Sequence, residues 1–70
     1  MSEYLVIYED AGRNWAAYVP DLPGCLGVGD TKEDCERNIA EGIAAYIKYL
    51  NDEGQDVPVP SSLAGYIRVA

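Results

Sequence analysis

Twelve acidic side chains are the main chemistry-bearing groups of this 70-residue sequence, which has no histidine. Without imidazole, Ser-His-Asp and Cys-His catalysis, imidazole general bases and most catalytic zinc sites are ruled out. Carboxylate chemistry remains, either directly or through a carboxylate-bound metal. Cys25 and Cys35 do not form a CxxC pair and have no histidine to complete a zinc site. In a reducing compartment they read as two buried thiols, with a bridge left open. No metal and no cofactor are expected.

The acids are unevenly placed. Residues 1–30 hold five acids and one arginine, net −4, and residues 31–53 hold six acids and three bases, net −3. The remainder is neutral, so the chain totals −7. Nucleic acid and anionic membrane surfaces both need clustered Lys and Arg, so neither is an expected direct ligand. The field suits a basic protein partner, whose encounter it would speed. It also suits plain solubility, with the charge on a solvated face. Candidate partner contacts are Glu9, Asp10, Asp21 and Asp30, with Trp15 and Tyr18 as aromatic anchors.

These residues must be positioned by a small set of elements. Residues 4–8 and 15–19 are rich in β-branched and aromatic side chains, and the turn material between them makes a hairpin. Pro20, Asp21, Leu22, Pro23 and Gly24 form a rigid turn, because each proline fixes φ and Gly24 tolerates positive φ. Cys25 follows it and opens a short third strand, weakened by Gly27 and Gly29 and expected at a sheet edge. Thr31 is the N-cap of a helix that runs to about Asp52 and stops at Gly54. Cys35, Ile39, Ile43, Tyr46, Ile47 and Leu50 make its apolar stripe. Pro58 and Pro60 lie in an extended linker. Residues 64–69 read as a last strand.

The expected fold class is therefore α+β, one domain over residues 1–70 in the order β-β-β-α-β. One helix covers one sheet face. The last strand lies parallel to the first after the helical crossover, which gives sheet order 3-2-1-4. The opposite face is left open, carrying some of Tyr4, Val6, Tyr8, Trp15 and Tyr18, and is a candidate association surface. No basic leader or long apolar run is visible, which makes the cytoplasm the expected location.

The ordered run from Pro20 to Cys25, then Gly29-Asp30-Thr31, an acidic helix start with Asn38, and Gly54 followed by Pro58 and Pro60 resembles the HicB-like antitoxin family. The resemblance spans residues 4–60, and it implies a truncated RNase H-like fold. It also implies an antitoxin that binds a small basic HicA-type toxin, an RNA-cleaving protein, and masks its active and RNA-binding surface. It marks Pro20, Leu22, Pro23, Gly24, Cys25, Thr31 and Asn38 as structural motif residues. Members commonly form dimers or larger assemblies, so a homodimer or higher homo-oligomer is expected. Many members carry a C-terminal DNA-binding domain; this sequence reaches Ala70 without such a segment, which removes the expectation of direct operator binding.

Two rivals follow. A stand-alone oligomeric interaction module would use the same surfaces without a toxin. A two-metal nuclease of RNase H-like shape would need acids converging from the first strand, the helix and the last strand. The candidates Glu9, Asp10, Asp34 and Glu41 supply too few central positions, and residues 66–69 contain no acid. The chain is therefore expected to bind and not to catalyse.

Overall fold

Apolar runs before and after Gly12 build the first hairpin of the computed structural model, which describes residues 3–70. The reading of Met1 and Ser2 as a start without a leader lies outside them. Strand β1, Ile7–Asp10, pairs antiparallel with β2, Trp15–Tyr18. The ladder thus reaches Glu9 and Asp10, beyond the expected strand 4–8. The turn is closed by the Ala11 N–H on the Asn14 carbonyl at 2.8 Å and the Gly12 N–H on Asp10 Oδ1 at 2.9 Å. Gly12 has φ +95°, which only glycine adopts readily.

The second connection is two consecutive turns. The Leu22 N–H donates to the Val19 carbonyl, and the Cys25 N–H donates to the Leu22 carbonyl, both at 3.0 Å. In the second turn Pro23 occupies the i+1 position and Gly24, with φ +84°, the i+2 position. That is the residue pattern of a type II turn. Leu22 is completely buried beneath it, so the motif is a plugged corner and not an exposed loop. Strand β3, Leu26–Gly29, then pairs antiparallel with β2.

Helix α1, Lys32–Asp52, starts at Thr31, whose side chain accepts from the Asp34 N–H at 3.1 Å. Glu33 and Asp34 stand in its first turn, facing the positive end of the helix dipole. At the other end the Gly54 N–H bonds Asn51 O and the Gln55 N–H bonds Leu50 O, while Gly54 has φ +68°. This paired closure is a Schellman motif, and it confirms Gly54 as the stop.

Five of the six residues of the expected apolar stripe pack inward, and Ile47 is half-buried outside the core cluster. Cys35, Ile39 and Leu50 are buried, and Ile43 and Tyr46 pack against the core formed by Ala17, Val19, Leu22, Cys25, Cys35 and Ile39. The thiols of Cys25 and Cys35 are free and buried, and burial raises the Cys25 pKa.

The two glycines of β3 have a positive function that strand propensity hides. A β-carbon on Gly29 would lie 2.4 Å from the Cys35 backbone nitrogen, and one on Gly27 would lie 3.1 Å from the Ile39 Cα. The helix backbone rests directly on this strand, which a side chain would prevent. The expectation that these glycines mark an edge strand holds, since the order is β1-β2-β3.

The fourth strand is a correction. Residues 55–70 carry no strand, and the sheet has three strands rather than the order 3-2-1-4. Leu63, Tyr66, Ile67 and Val69 are 82–98 % exposed. Strand propensity describes a fit to a pleated, half-buried surface, and here no neighbouring strand supplies that surface.

Candidate protein-binding surface

Sheet register decides which residues face the helix. Gly27 and Gly29 look toward α1, so their partners Ala17 and Trp15 do too, as do Tyr8 and Asp10 one strand further. The opposite face carries Ile7, Tyr18 and Leu26 in one row across the three strands and Glu9, Ala16 and Val28 in the next. Leu26 is 71 % and Val28 59 % exposed, and no element among the described residues covers them.

The expectation that some of Tyr4, Val6, Tyr8, Trp15 and Tyr18 stand on the open face narrows to one of them. Tyr4, Val6, Tyr8 and Trp15 pack against the core on the helix side. Tyr18 is the one of these candidates on the open face, where Ile7, Leu26 and Val28 join it. A signal for them was present: once Gly27 and Gly29 are assigned to close helix approach, alternation must turn Leu26 and Val28 outward.

The acidic candidates divide into two groups. Asp10 pairs with Trp15, which pairs with Gly29, so Asp10 and the following Asp30 share one end of the sheet, with Glu9 one row inward. Glu9, Asp10 and Asp30 are all exposed. Lys32 is drawn inward, with its ammonium 4.6 Å from the Tyr8 ring centroid. Its ammonium also lies 3.9 Å from Glu36, so the charge is engaged by a ring and a carboxylate. Burial first, and then the charge of Glu36, raises the Tyr8 pKa.

Asp21 stands at the opposite end, after Tyr18. Of the two roles open to it, capping backbone or meeting a partner's cation, the structure displays the first. Its carboxylate accepts the Ser61 and Ser62 N–H groups at 3.0 and 3.1 Å and their hydroxyls at 3.2 and 2.8 Å. These bonds favour the ionised form and hold the Asp21 pKa at about 2, the Ser61 N–H contributing most. Tyr4 adds a second tie, its hydroxyl donating to the Pro58 carbonyl at 2.5 Å.

The clamp has a pH signature. The folded pKa of Asp21 lies below its unfolded value of 3.8. Its stabilisation is therefore complete above that unfolded value and is lost as pH falls from there through about 2. Asp21→Asn should remove this acid-sensitive component. Amide exchange of Ser61 and Ser62 should be slow at neutral pH in the wild type and fast in the variant. Equal exchange in both would show that the carboxylate does not hold the segment.

The motif residues serve the scaffold. Asn38 donates its side-chain amide to the Val28 carbonyl at 2.6 Å, covering the outer edge of β3. Tyr46 donates to the Pro23 carbonyl at 3.0 Å and ties the helix to the plugged corner. Among the described residues, no three of His, Cys, Asp and Glu gather closely enough to hold a metal ion, and no helix is long and apolar enough to cross a membrane.

Comparison with known proteins places the chain in a family. An uncharacterized protein from the rep-hol intergenic region of Haemophilus phage HP1 is 28% identical over 64 residues, covering 91% of this chain. A UPF0150 protein of Thermoplasma acidophilum is 36% identical over 58 residues, covering 83% of this chain and 84% of the relative. Antitoxin HicB 2 of Photorhabdus laumondii is 27% identical over 59 residues, covering 84% of this chain. The chain spans 48% of the phage protein and 42% of the Photorhabdus antitoxin, about half the length of each. In three dimensions it matches a chain of a HicA3 and HicB3 toxin-antitoxin complex with a TM-score of 0.72 at 30% identity, covering 84% of this chain and 70% of that one. The profile of the family described as HicB_like antitoxin of bacterial toxin-antitoxin system matches residues 4–69. With nearly its whole length inside that profile, the chain belongs to the HicB_like antitoxin family.

Proposed function

We propose that this protein is an antitoxin that binds a small basic RNA-cleaving toxin of the HicA type and keeps RNA from its active surface. The observation that carries this reading is the uncovered sheet face of Ile7, Tyr18, Leu26 and Val28, bordered by Glu9 and by Asp10 and Asp30 at one end. An apolar centre with a charged rim is the common anatomy of a protein interface. The acids would steer a cationic partner and the apolar row would hold it. A toxin surface that grips phosphates offers the complementary sign.

The role asks for binding alone, with no turnover by the antitoxin and no direct contact with nucleic acid. Tyr18 and Glu9 are placed for contact, with Asp10 and Asp30 at the rim. Trp15 and Asp21 would act indirectly, through the core and the clamp. The cytoplasm is the setting in which such a toxin meets its RNA. The β-β-β-α order fits a truncated RNase H-like frame, with residues 63–69 as its last strand once paired. Self-association of the chain belongs to the same reading.

The test is titration of purified protein into a cleavage assay of the cognate toxin on RNA. Stoichiometric protection is expected, with affinity falling as salt rises. Undiminished cleavage at saturating protein, with self-association intact, would leave the stand-alone interaction module as the better reading.

A further inference from the structure

We propose that residues 63–69 act as an edge strand for β1 of a second copy of this chain, the exchange being made in both directions about a two-fold axis. The inference deepens the self-association named above, but it needs no toxin. Four observations lead to it.

The segment has the composition of a strand yet makes no backbone hydrogen bond to any strand among the described residues. Its large apolar side chains, Leu63, Tyr66, Ile67 and Val69, are almost wholly exposed. Its root is nevertheless fixed, by Tyr4 on Pro58 and by Asp21 on Ser61 and Ser62. A segment pinned at its base and apolar along its length is built for delivery to another surface.

The receiving edge is singled out by the fold. The sheet order leaves β1 and β3 as edges. The edge of β3 is capped from α1 by Asn38, which donates to the Val28 carbonyl. Among the described residues no hydrogen bond caps the edge of β1 in this way. Beside it a cleft of about 560 Å³ separates residues 5–8 from residues 63–66, so the segment stands off its own β1.

The dimensions point outward as well. The radius of gyration is 13.6 Å, against roughly 11 Å for a folded globule of this length. The longest axis is 47 Å, against 29 and 20 Å for the others. Charge agrees: Arg68 is the one charged side chain among residues 63–70, and the receiving strand ends in Glu9 and Asp10.

Each copy thus presents one unpaired strand and one unpaired edge. A two-fold pair satisfies both at once, and the reciprocal exchange closes on two copies without recruiting a third. Strand addition of this kind takes its affinity from main-chain hydrogen bonds.

The test measures mass in solution by analytical ultracentrifugation for the wild type and for Tyr66→Pro/Ile67→Pro. Two adjacent prolines remove a ladder N–H whichever way the strand faces. Both residues are at least 88 % exposed, so the sheet and helix should keep their circular dichroism. The expected result is a wild-type dimer and a variant whose dimerisation is weaker by about tenfold or more. Isotope-filtered NOEs in a mixed-label sample should join residues 63–69 to β1 across the two copies. A wild-type monomer, a dimer indifferent to the prolines, or NOEs found only within one chain would each overturn the proposal. A monomer that still protects RNA would remove this inference and leave the antitoxin reading standing.

Discussion

Gly29→Ala is expected to cost about 3 kcal/mol, a large share of the stability of a domain this small. The new carbon would sit 2.4 Å from the Cys35 nitrogen, 2.8 Å from the Asp34 carbonyl carbon and 2.9 Å from Asp34 Cβ. Two of these are backbone atoms in the first turn of α1, so no rotamer change relieves the clash. The helix start must lift from β3, and that lifts Cys35 and Ile39 out of the core they fill. A domain of this size has a total stability of only roughly 4–10 kcal/mol. Gly27→Ala should cost less, because its contacts with Ile39 begin at 3.1 Å and the neighbour can give slightly. Gly65→Ala meets open space and should be neutral. Gly42→Ala meets only ordinary contacts, at 3.8 Å from Cys25 Sγ and Leu26 O, and gains helix propensity of up to about 1 kcal/mol. Denaturant unfolding of the four variants should rank them in that order. A Gly29→Ala protein as stable as the wild type would show that the helix does not rest on β3 as described.

The fold was legible wherever local chemistry is decisive. Thr31, Gly54 and the helical stripe are self-contained signals, and each lies where the pattern placed it. The Pro20–Gly24 run likewise encodes its own turn, because Pro23 and Gly24 permit few alternatives. The fourth strand was not legible, because a strand exists only when an edge receives it. Residues 63–69 have the right composition and no ladder. The membership of the open face was left unresolved for a related reason. Both faces of the strands read as apolar, so alternation gave no sign of which was inward. Only the backbone contact at Gly29 fixes that sign, and with it the places of Trp15 and Leu26. Asp21 shows the reverse case. Its turn was readable, but its partners Ser61 and Ser62 lie 40 and 41 residues away.

Leu26→Asp/Val28→Asp is expected to weaken toxin binding by at least about 100-fold while leaving the domain folded. Both side chains point away from the helix and are already more than half exposed, so no core contact is lost. The folded state should feel mainly the poorer strand propensity of aspartate, about 1 kcal/mol or less per site. In a complex the consequence is far larger. The apolar row would forfeit the burial of a leucine and a valine, each worth roughly 1.5–3 kcal/mol when fully buried. Two carboxylates would also have to lose water at the centre of the contact. Glu9→Gln/Asp10→Asn/Asp30→Asn tests the rim separately. Because rim charges act on encounter, this triple variant should lower the association rate and flatten the salt dependence, with little change in dissociation. The two variants therefore separate the apolar hold from the electrostatic approach. Binding of the Leu26→Asp/Val28→Asp protein at wild-type affinity would place the toxin elsewhere, and the open face would then need another occupant. Isothermal titration at two salt concentrations, with RNA protection read in parallel, resolves both outcomes.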